Sequence, residues 1–149
     1  MVKQISVFIE NTTGRLIAVT SCLAENKINI RALSVADTSD FGILRLIVDH
    51  PNRAYRTLRE AGFTVRETAV LALEVADEVG GINAGLNVLE QAGINVEYIY
   101  AFLSVVAGKA LNILKVDNME EAVQALKKAG LRLLEGEEIH MCGTPCKRA

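Results

Sequence analysis

Two short loops of this chain place a hydrogen-bond acceptor three residues before a glycine. The first loop is Asn11-Thr12-Thr13-Gly14, and the second, 66 residues later, is Asp77-Glu78-Val79-Gly80. A glycine at the start of a helix lets free N–H groups approach an anion closely, and the helix dipole favours a carboxylate there. An Asn or Asp oxygen can accept a hydrogen bond from an ammonium group. Together, these two features would suit a zwitterion.

The same residue types also allow a purely structural interpretation. Asn11 and Asp77 are good helix N-cap types, although three residues before the glycine is early for a cap. Ligand contact and capping or turn chemistry are therefore both open for these two side chains. Arg15, which follows Gly14, has Gly81 as its counterpart, so the fold does not require a charge at this position.

The two loops belong to a repeat that covers most of the chain. Each loop follows an alternating strand pattern and precedes a helical apolar stripe. After a slip of two residues the match resumes at a spacing of 68, as in Val48-Asp49 and Val116-Asp117. A period this long makes each copy a small domain. We therefore predict one domain over residues 1–68, a second over residues 69–141 and a C-terminal tail over residues 142–149.

The order of elements predicted for each copy is β-α-β-β-α-β. A second helix begins near Pro51 and is closed by Gly62, and its counterpart begins near Asn118 and is closed by Gly130. A last strand then completes each copy, running to about residue 68 and about residue 141. This order predicts an α+β, ferredoxin-like fold with both helices on one face of an antiparallel sheet. Because each copy alone is near the size at which a core is marginal, we expect the two to pair through their second strands and first helices into an eight-stranded antiparallel sheet.

Both loops are followed by Ile-Asn-(Ile/Val) at the start of the second strand, at residues 28–30 and 94–96. With the loops, this pattern resembles the ACT domain, a small regulatory module of amino-acid metabolism whose loop typically reads Asp-x-Pro-Gly-x-Leu. The resemblance extends over both copies, up to about Met141. The chain as a whole is similar to stand-alone tandem ACT proteins. Thr13 and Val79 stand where the family has proline, which loosens the loop. Asn29 and Asn95 are predicted to shape the strand entrance rather than to touch a ligand.

The resemblance implies a non-catalytic sensor that binds a free amino acid between ACT units, with the first loop and the second strand lining the site. We expect the second loop to be the tighter site, because a charged acceptor holds an ammonium group more strongly than a neutral one. Gly81 would weaken binding at the second loop, because it adds backbone flexibility that is lost when a ligand binds. The residues predicted to contact the ligand are Asn11, Thr13, Gly14, Arg15, Leu16, Ile30, Asp77, Val79, Gly80, Gly81, Ile82 and Val96.

A second hypothesis is a regulatory subunit of an amino-acid metabolic enzyme whose ligand sites have decayed. An enzyme is not predicted, because the sequence offers no repeated catalytic set and neither histidine recurs. His50 and His140 are predicted at the surface. Cys142 and Cys146 could bind a soft metal or form a short disulfide, but a lone pair offers too few ligands for a closed site. We therefore predict no metal or other cofactor, and a disordered tail.

The charge and hydrophobicity of the sequence indicate which classes of partner the protein could bind. With 16 Lys and Arg against 18 Asp and Glu, the net charge is −2, which argues against nucleic acid and an anionic membrane. No apolar run is long enough to cross a bilayer, and the N-terminus enters a strand pattern without a signal peptide. A cytoplasmic location is therefore expected. Phe8, Val70 and Ala72 make the second sheet face too apolar to leave in water, so a second sheet or a second subunit should cover it, and we expect a homodimer or larger assembly.

Overall fold

The computed structural model describes residues 1–37, 39–102 and 107–140. Its chain forms two compact units. The first unit contains Lys3–Thr68 and residues 137–140, and the second contains Met1–Val2 and Ala69–Gly136. The tail predicted at residues 142–149, with Cys142 and Cys146, lies outside the described residues.

The first unit has the predicted element order. Its strands are arranged as β2-β3-β1-β4, with β3 antiparallel to both β1 and β2. Its elements are β1 (Val2–Glu10), α1 (Arg15–Glu25), β2 (Ile30–Asp37), β3 (Phe41–Val48), α2 (Pro51–Glu60) and the first part of β4 (Thr64–Ala76).

The second unit repeats this plan, with β4 paired to β6 and β7, and β6 paired to β5. After the rest of β4, its elements are α3 (Gly81–Gln91), β5 (Val96–Ala101), β6 (Lys109–Val116), α4 (Met119–Lys128) and β7 (Arg132–Leu134). Strand register is conserved between the units: Glu10 faces Phe41 across β1 and β3, and Ala76 faces Lys109 across β4 and β6. The predicted α+β fold, a βαββαβ unit repeated twice, is confirmed.

The described residues contain seven strands where eight were predicted, and the predicted pairing of the second strands is wrong, because β2 and β5 lie at opposite ends of the strand order. The number of strands is lower because β4 is a single strand of 13 residues. It runs through Thr68 and Ala69 without a break, so it ends the first repeat and begins the second. No Pro or Gly stands within it to interrupt the pairing. The last strand of the second copy is also shorter than predicted, because helix α5 (Gly136–His140) follows β7.

Each unit has an aliphatic core between its strands and helices. Burying one such side chain stabilises a fold by roughly 1.5–3 kcal/mol, so the two cores hold the loops described below in fixed positions. Each core contains residues from the first strand of its unit and from both helices. They are Ile5, Val7, Ile9, Val19, Leu23 and Leu58 in the first unit, and Leu71, Leu73, Val75, Leu89 and Leu126 in the second.

The opposite side of the strands is more buried than the sequence indicated. Gln4 and Ser6, the polar residues that alternate with the core residues of β1, are both buried, and Gln4 Nε2 donates to Ser6 Oγ at 3.0 Å. This hydrogen bond compensates the burial of the amide. Val70 and Ala72 are also buried within the single chain, whereas Phe8 is 41% exposed. Val70 and Ala72 therefore provide no surface for a second chain. In the described part of the chain, no helix has the length and apolar character needed to span a membrane.

Candidate functional site

The two predicted loops have the same backbone geometry. Gly14 and Gly80 immediately precede α1 and α3, with φ angles of 89° and 82°. This left-handed region favours glycine, which explains why both loops need it. Neither helix start has a side-chain cap hydrogen bond. The N-cap positions are taken by Gly14 and Gly80 rather than by Asn11 and Asp77, and turn chemistry stays open for these two side chains.

The backbone of each loop is tied to the hairpin between the second and third strands of its unit. The Asn11 N–H donates to the Asp40 carbonyl at 3.1 Å, and the Asp77 N–H donates to the Gly108 carbonyl at 3.1 Å. These equivalent bonds hold both loops in place. The side chains at positions 11 and 77 are exposed at the surface of these anchored turns.

A turn hydrogen bond also closes the end of each loop. The Arg15 N–H donates to the Thr12 carbonyl at 3.3 Å, and the Gly81 N–H donates to the Glu78 carbonyl at 3.0 Å. These two N–H groups were among those predicted to meet a ligand carboxylate. Both are already used inside the loop, so an anion at either helix start would rely on other donors.

The predicted contact residues differ in exposure. Most of the two loops is open to solvent, whereas the helix starts and second strands are partly covered. The exposed residues are Asn11, Thr13, Gly14, Leu16, Asp77, Val79 and Gly80; the half-buried ones are Arg15, Ile30, Ile82 and Val96; Gly81 is buried. Their contact with a ligand stays a prediction.

Gly81 has a packing role rather than a role in flexibility. A Cβ atom at this position would lie 2.0 Å from the Ala76 carbonyl oxygen, so only glycine fits. The start of α3 thus approaches the end of β4 closely. The first unit has Arg15 at the equivalent place, so the two loops present different chemistry there.

A pocket of about 220 Å³ opens beside the first loop, and all of its lining residues belong to the first unit. Glu10 and Arg15, which flank the loop, line it together with Phe8, Phe41 and Phe63. Glu10 and Phe41 are direct cross-strand partners, so their side chains share one face of the sheet. Pockets for drug-sized ligands measure about 300–1,000 Å³. This smaller pocket suits a metabolite of about the size of an amino acid.

Arg15 is the cationic residue that lines this pocket. Its guanidinium Cζ lies 5.6 Å from the centroid of the Phe63 ring, a cation–π arrangement. Its Nε is buried and has no hydrogen-bond partner within the described residues. A buried donor without an acceptor costs about 1–3 kcal/mol. Because this atom is closed to solvent, a ligand carboxylate in the pocket would have to meet another part of the Arg15 guanidinium.

The second unit carries an ion cluster at the equivalent place. Glu74 and Lys109 stand where the first unit has Phe8 and Phe41, and Arg132 lies on the neighbouring strand β7. The Glu74 carboxylate is 3.1 Å from Lys109 Nζ and 3.3 Å from Arg132 Nη1. These charges satisfy one another, so the second unit lacks the aromatic pocket of the first.

Sequence reasoning found Arg15 but missed Glu10 and the three aromatic residues of this pocket. The signal that would have found them is the difference between the repeats. Aromatic side chains at positions 8 and 41 change to charged ones at 74 and 109, although the backbone register is the same. Positions at which two otherwise matched copies differ indicate a property that only one of the copies has.

An Asn just before the second strand and an Asp just after the third strand recur in both units and have a structural role. Asp49 Oδ1 accepts the Asn29 N–H at 3.0 Å, and Asp117 Oδ1 accepts the Asn95 N–H at 3.1 Å. The Asp49 and Asp117 N–H groups return bonds to the carbonyls of the same two asparagines. The motif therefore fixes the entrance of β2 and β5 through the aspartate side chains and the backbone of the two asparagines. The role of the asparagine side chains stays a prediction.

A second pocket, of about 240 Å³, lies at the start of α2 and is lined by charged residues that include Asp49, His50 and Arg53. The Arg53 guanidinium donates to the carbonyls of Asn26 and Lys27, where α1 ends. Asp49 is used in the bonds to β2 described above. The charges of this pocket therefore connect elements of the first unit.

His140 does not lie at the surface as predicted. Its ring is half-buried, with Nδ1 2.6 Å from the Val48 carbonyl, and the Lys3 N–H donates to Nε2 at 3.3 Å. Burial lowers the pKa of His140, and the hydrogen bond to Val48 partly offsets this effect. The neutral ring fastens α5 to β1 and β3. His50 is exposed, and the described residues contain no cluster of His, Cys, Asp and Glu suited to a metal ion.

Comparison with known proteins decides the family. A family model described as an ACT domain pair matches residues 1–142. The chain belongs to the ACT domain family. The resemblance seen in the two loops is thus confirmed, and the two units form a regulatory ACT fold. No curated protein matches the chain.

Two solved structures illustrate the relationship to other ACT proteins. Protein BT0572 from Bacteroides thetaiotaomicron is 34% identical, with a TM-score of 0.88 over 93% of this chain and 95% of that one. The ligand-free regulatory subunit of aspartate kinase from Thermus thermophilus is 17% identical, with a TM-score of 0.63 over 85% of this chain and 91% of that one. The second likeness shows the shared ACT fold alone.

Proposed function

We propose that this ACT pair is a non-catalytic, cytoplasmic regulatory protein that binds a free amino acid. The observation that carries the proposal is that Arg15 and Glu10, which carry opposite charges, line the same pocket. A free amino acid needs a donor for its carboxylate and an acceptor for its ammonium group. The two charged residues that flank the first loop offer both.

The response to the ligand is a change in the packing of ACT units that a partner reads. A structural relative of this chain is the regulatory subunit of an aspartate kinase. This motivates an enzyme of amino-acid metabolism as the partner. The chain itself is proposed to assemble as a homodimer, because Leu33 and Val35 on β2 and Ile99 on β5 are large apolar residues exposed on edge strands.

The second candidate function is a regulatory subunit that no longer binds a ligand. It is favoured by the ion cluster around Glu74, which occupies the second unit's counterpart of the pocket, and by the loss of the family proline at Thr13 and Val79. In this case the ACT pair would act through its surfaces only.

A thermal-shift panel with the twenty amino acids tests the proposal. A ligand that binds only the native state stabilises it by about 2.7 kcal/mol at a hundred times its Kd, which should raise Tm by about 5–10 °C. Betaine at the same concentration is the control for non-specific stabilisation by a zwitterion. No shift beyond that control with any amino acid at millimolar concentration would leave the decayed-subunit function ahead.

A further inference from the structure

Helix α5 follows the last strand of the second repeat, yet it belongs to the first unit. Gly136 lies in the second unit, and residues 137–140 lie in the first. Ile139 is 2% exposed, and His140 is hydrogen-bonded to β1 and β3. We propose that α5 is a proton-controlled clasp, which is closed on the first unit when His140 is neutral and opens when its ring takes up a proton.

The two ring nitrogens of His140 have different roles in the closed clasp. Nε2 accepts the Lys3 N–H at 3.3 Å, so this nitrogen carries a lone pair rather than a proton. Nδ1 lies 2.6 Å from the Val48 carbonyl oxygen, which can only accept, so Nδ1 carries the ring proton and donates it. The neutral Nδ1–H tautomer is therefore the form of the ring that satisfies both contacts.

Protonation removes one of these two bonds. The incoming proton binds Nε2, because Nδ1 already carries one, and the new Nε2–H then faces the Lys3 N–H. Two donors cannot bond to each other, so the Lys3 amide loses its acceptor. The Val48 bond remains possible for the charged ring, because Nδ1 keeps its proton. Proton uptake thus breaks the contact of α5 with β1 first.

Burial and the nearest cations oppose a charged ring in the closed clasp. The pKa of His140 is lowered chiefly by burial, and Lys3 on β1 and Arg31 on β2 lower it further. The Val48 bond and Asp49, which follows β3, act in the opposite direction but leave the pKa below its ordinary value. A group whose pKa is lowered in the closed form takes up a proton more readily when the clasp is open.

Other charged side chains lie close to this cluster. Lys3 Nζ is 3.9 Å from the Glu67 carboxylate on β4, which screens part of its charge. His50 Nε2 is 3.8 Å from Asp49 Oδ2, so a second histidine can take up a proton beside the same carboxylate. The two glutamates of α5 itself are exposed. A test of the clasp must therefore separate His140 from His50.

Opening of α5 is a local event, distinct from unfolding of the aliphatic core. Only Ile139 and the contacts of His140 need to be released, and the core strands can keep their pairing. At about pH 5.5, one unit below the ordinary histidine pKa of about 6.5, the open population should be up to about tenfold higher than at about pH 7.5.

Nitrogen NMR of the full chain tests the closed form. At about pH 7.5 the ring nitrogen shifts of His140 should be those of the Nδ1–H tautomer, whereas exposed His50 should show a mixture of both tautomers. A His140 ring that carries its proton on Nε2 at this pH would overturn the proposal, because Nε2 could not then accept the Lys3 N–H.

Amide hydrogen exchange tests the opening. The Lys3 amide should lose protection by about tenfold between about pH 7.5 and 5.5, after correction for the intrinsic exchange rate. At both pH values its protection should stay below that of Leu44 in the core, because α5 opens without unfolding the strands. Equal protection of Lys3 and Leu44 throughout, or Lys3 protection independent of pH, would overturn the proposal.

Two variants assign the effect to the ring of His140. His140→Asn keeps an amide donor in place of Nδ1, His140→Gln keeps an amide oxygen in place of Nε2, and neither side chain titrates. Both should make Lys3 protection independent of pH, whereas the control His50→Asn should keep the wild-type change. A pH dependence that persists in both His140 variants, or that is lost in His50→Asn, would contradict the clasp. Circular dichroism checks the fold of each variant, and the tautomer measurement on the wild type stays decisive if neither His140 variant folds.

Discussion

Positions 15 and 81 show how a single residue separates two otherwise matched loops. In the first loop Arg15 brings a guanidinium over Phe63, and its Nε has no hydrogen-bond partner among the residues that the structure describes. In the second loop Gly81 lies against the Ala76 carbonyl, with no space for any side chain. The loop backbones are held by equivalent hydrogen bonds, so the difference in chemistry comes from the side chains alone.

Gly81 and Gly85, both in α3, allow this packing argument to be tested. Gly81→Ala should lower the free energy of unfolding by about 3 kcal/mol or more, because its Cβ would meet backbone at 2.0 Å. Gly85→Ala should cost only about 1–2 kcal/mol, because its Cβ would meet the movable Cδ2 of Leu73 at 2.7 Å. Urea denaturation measures both. Equal losses would show that the approach of α3 to β4 is looser than described.

At the scale of elements, the alternating and helical patterns were sufficient to predict the helices and most strands. Alternation of Ile5, Val7 and Ile9 places the core face of β1 because it reflects burial directly. The continuity of β4 and the turn to α5 were not predictable in this way. No local break marks residues 68–69, and α5 depends on what His140 contacts far away in sequence.

Helix α5 gives the molecule a pH dependence. The native state disfavours protonation of the half-buried His140, whose pKa is lowered chiefly by burial and further by Lys3 and Arg31, against Asp49 and the Val48 bond. The unfolded chain, with a histidine pKa of about 6.5, then binds more protons. This contribution to stability is complete above about pH 6.5 and is lost as the pH falls through the lowered pKa of the native state.

Chemical denaturation between about pH 7.5 and 5 measures this effect. The wild type should lose stability as the pH falls, whereas His140→Asn should start less stable by about 1–3 kcal/mol and show a flatter profile. His50→Asn, at the exposed histidine, is the control and should keep the wild-type slope. A wild-type slope in His140→Asn would contradict the role given to this ring.

At the scale of the whole molecule, the repeat predicted the family and the fold, because every copy of the motif must build the same βαββαβ unit. It did not predict the pocket. Phe8, Glu10, Phe41 and Phe63 come from three strands or their flanks, and only folding shows that they meet beside Arg15. Comparison of the two copies for common residues does not identify them either, because the second copy has other residues at these positions.

The expectation of a homodimer now depends on other residues than those found in the sequence. Val70 and Ala72 are covered within the chain, so exposed Leu33, Val35 and Ile99 now carry the expectation of a homodimer. Sedimentation at tens of micromolar, roughly the range in which ordinary stable dimers persist, should give twice the chain mass. Leu33→Lys should shift the protein towards monomer. A wild type that sediments as a strict monomer would contradict the prediction.

The most direct test of amino-acid binding at the first loop is a crystal structure with the amino acid that gives the largest thermal shift. The expected result is density for the amino acid beside the first loop, with its carboxylate at the Arg15 guanidinium and its ammonium group near Glu10. Density at the Asp77–Gly80 loop with nothing bound beside Arg15 would contradict the account.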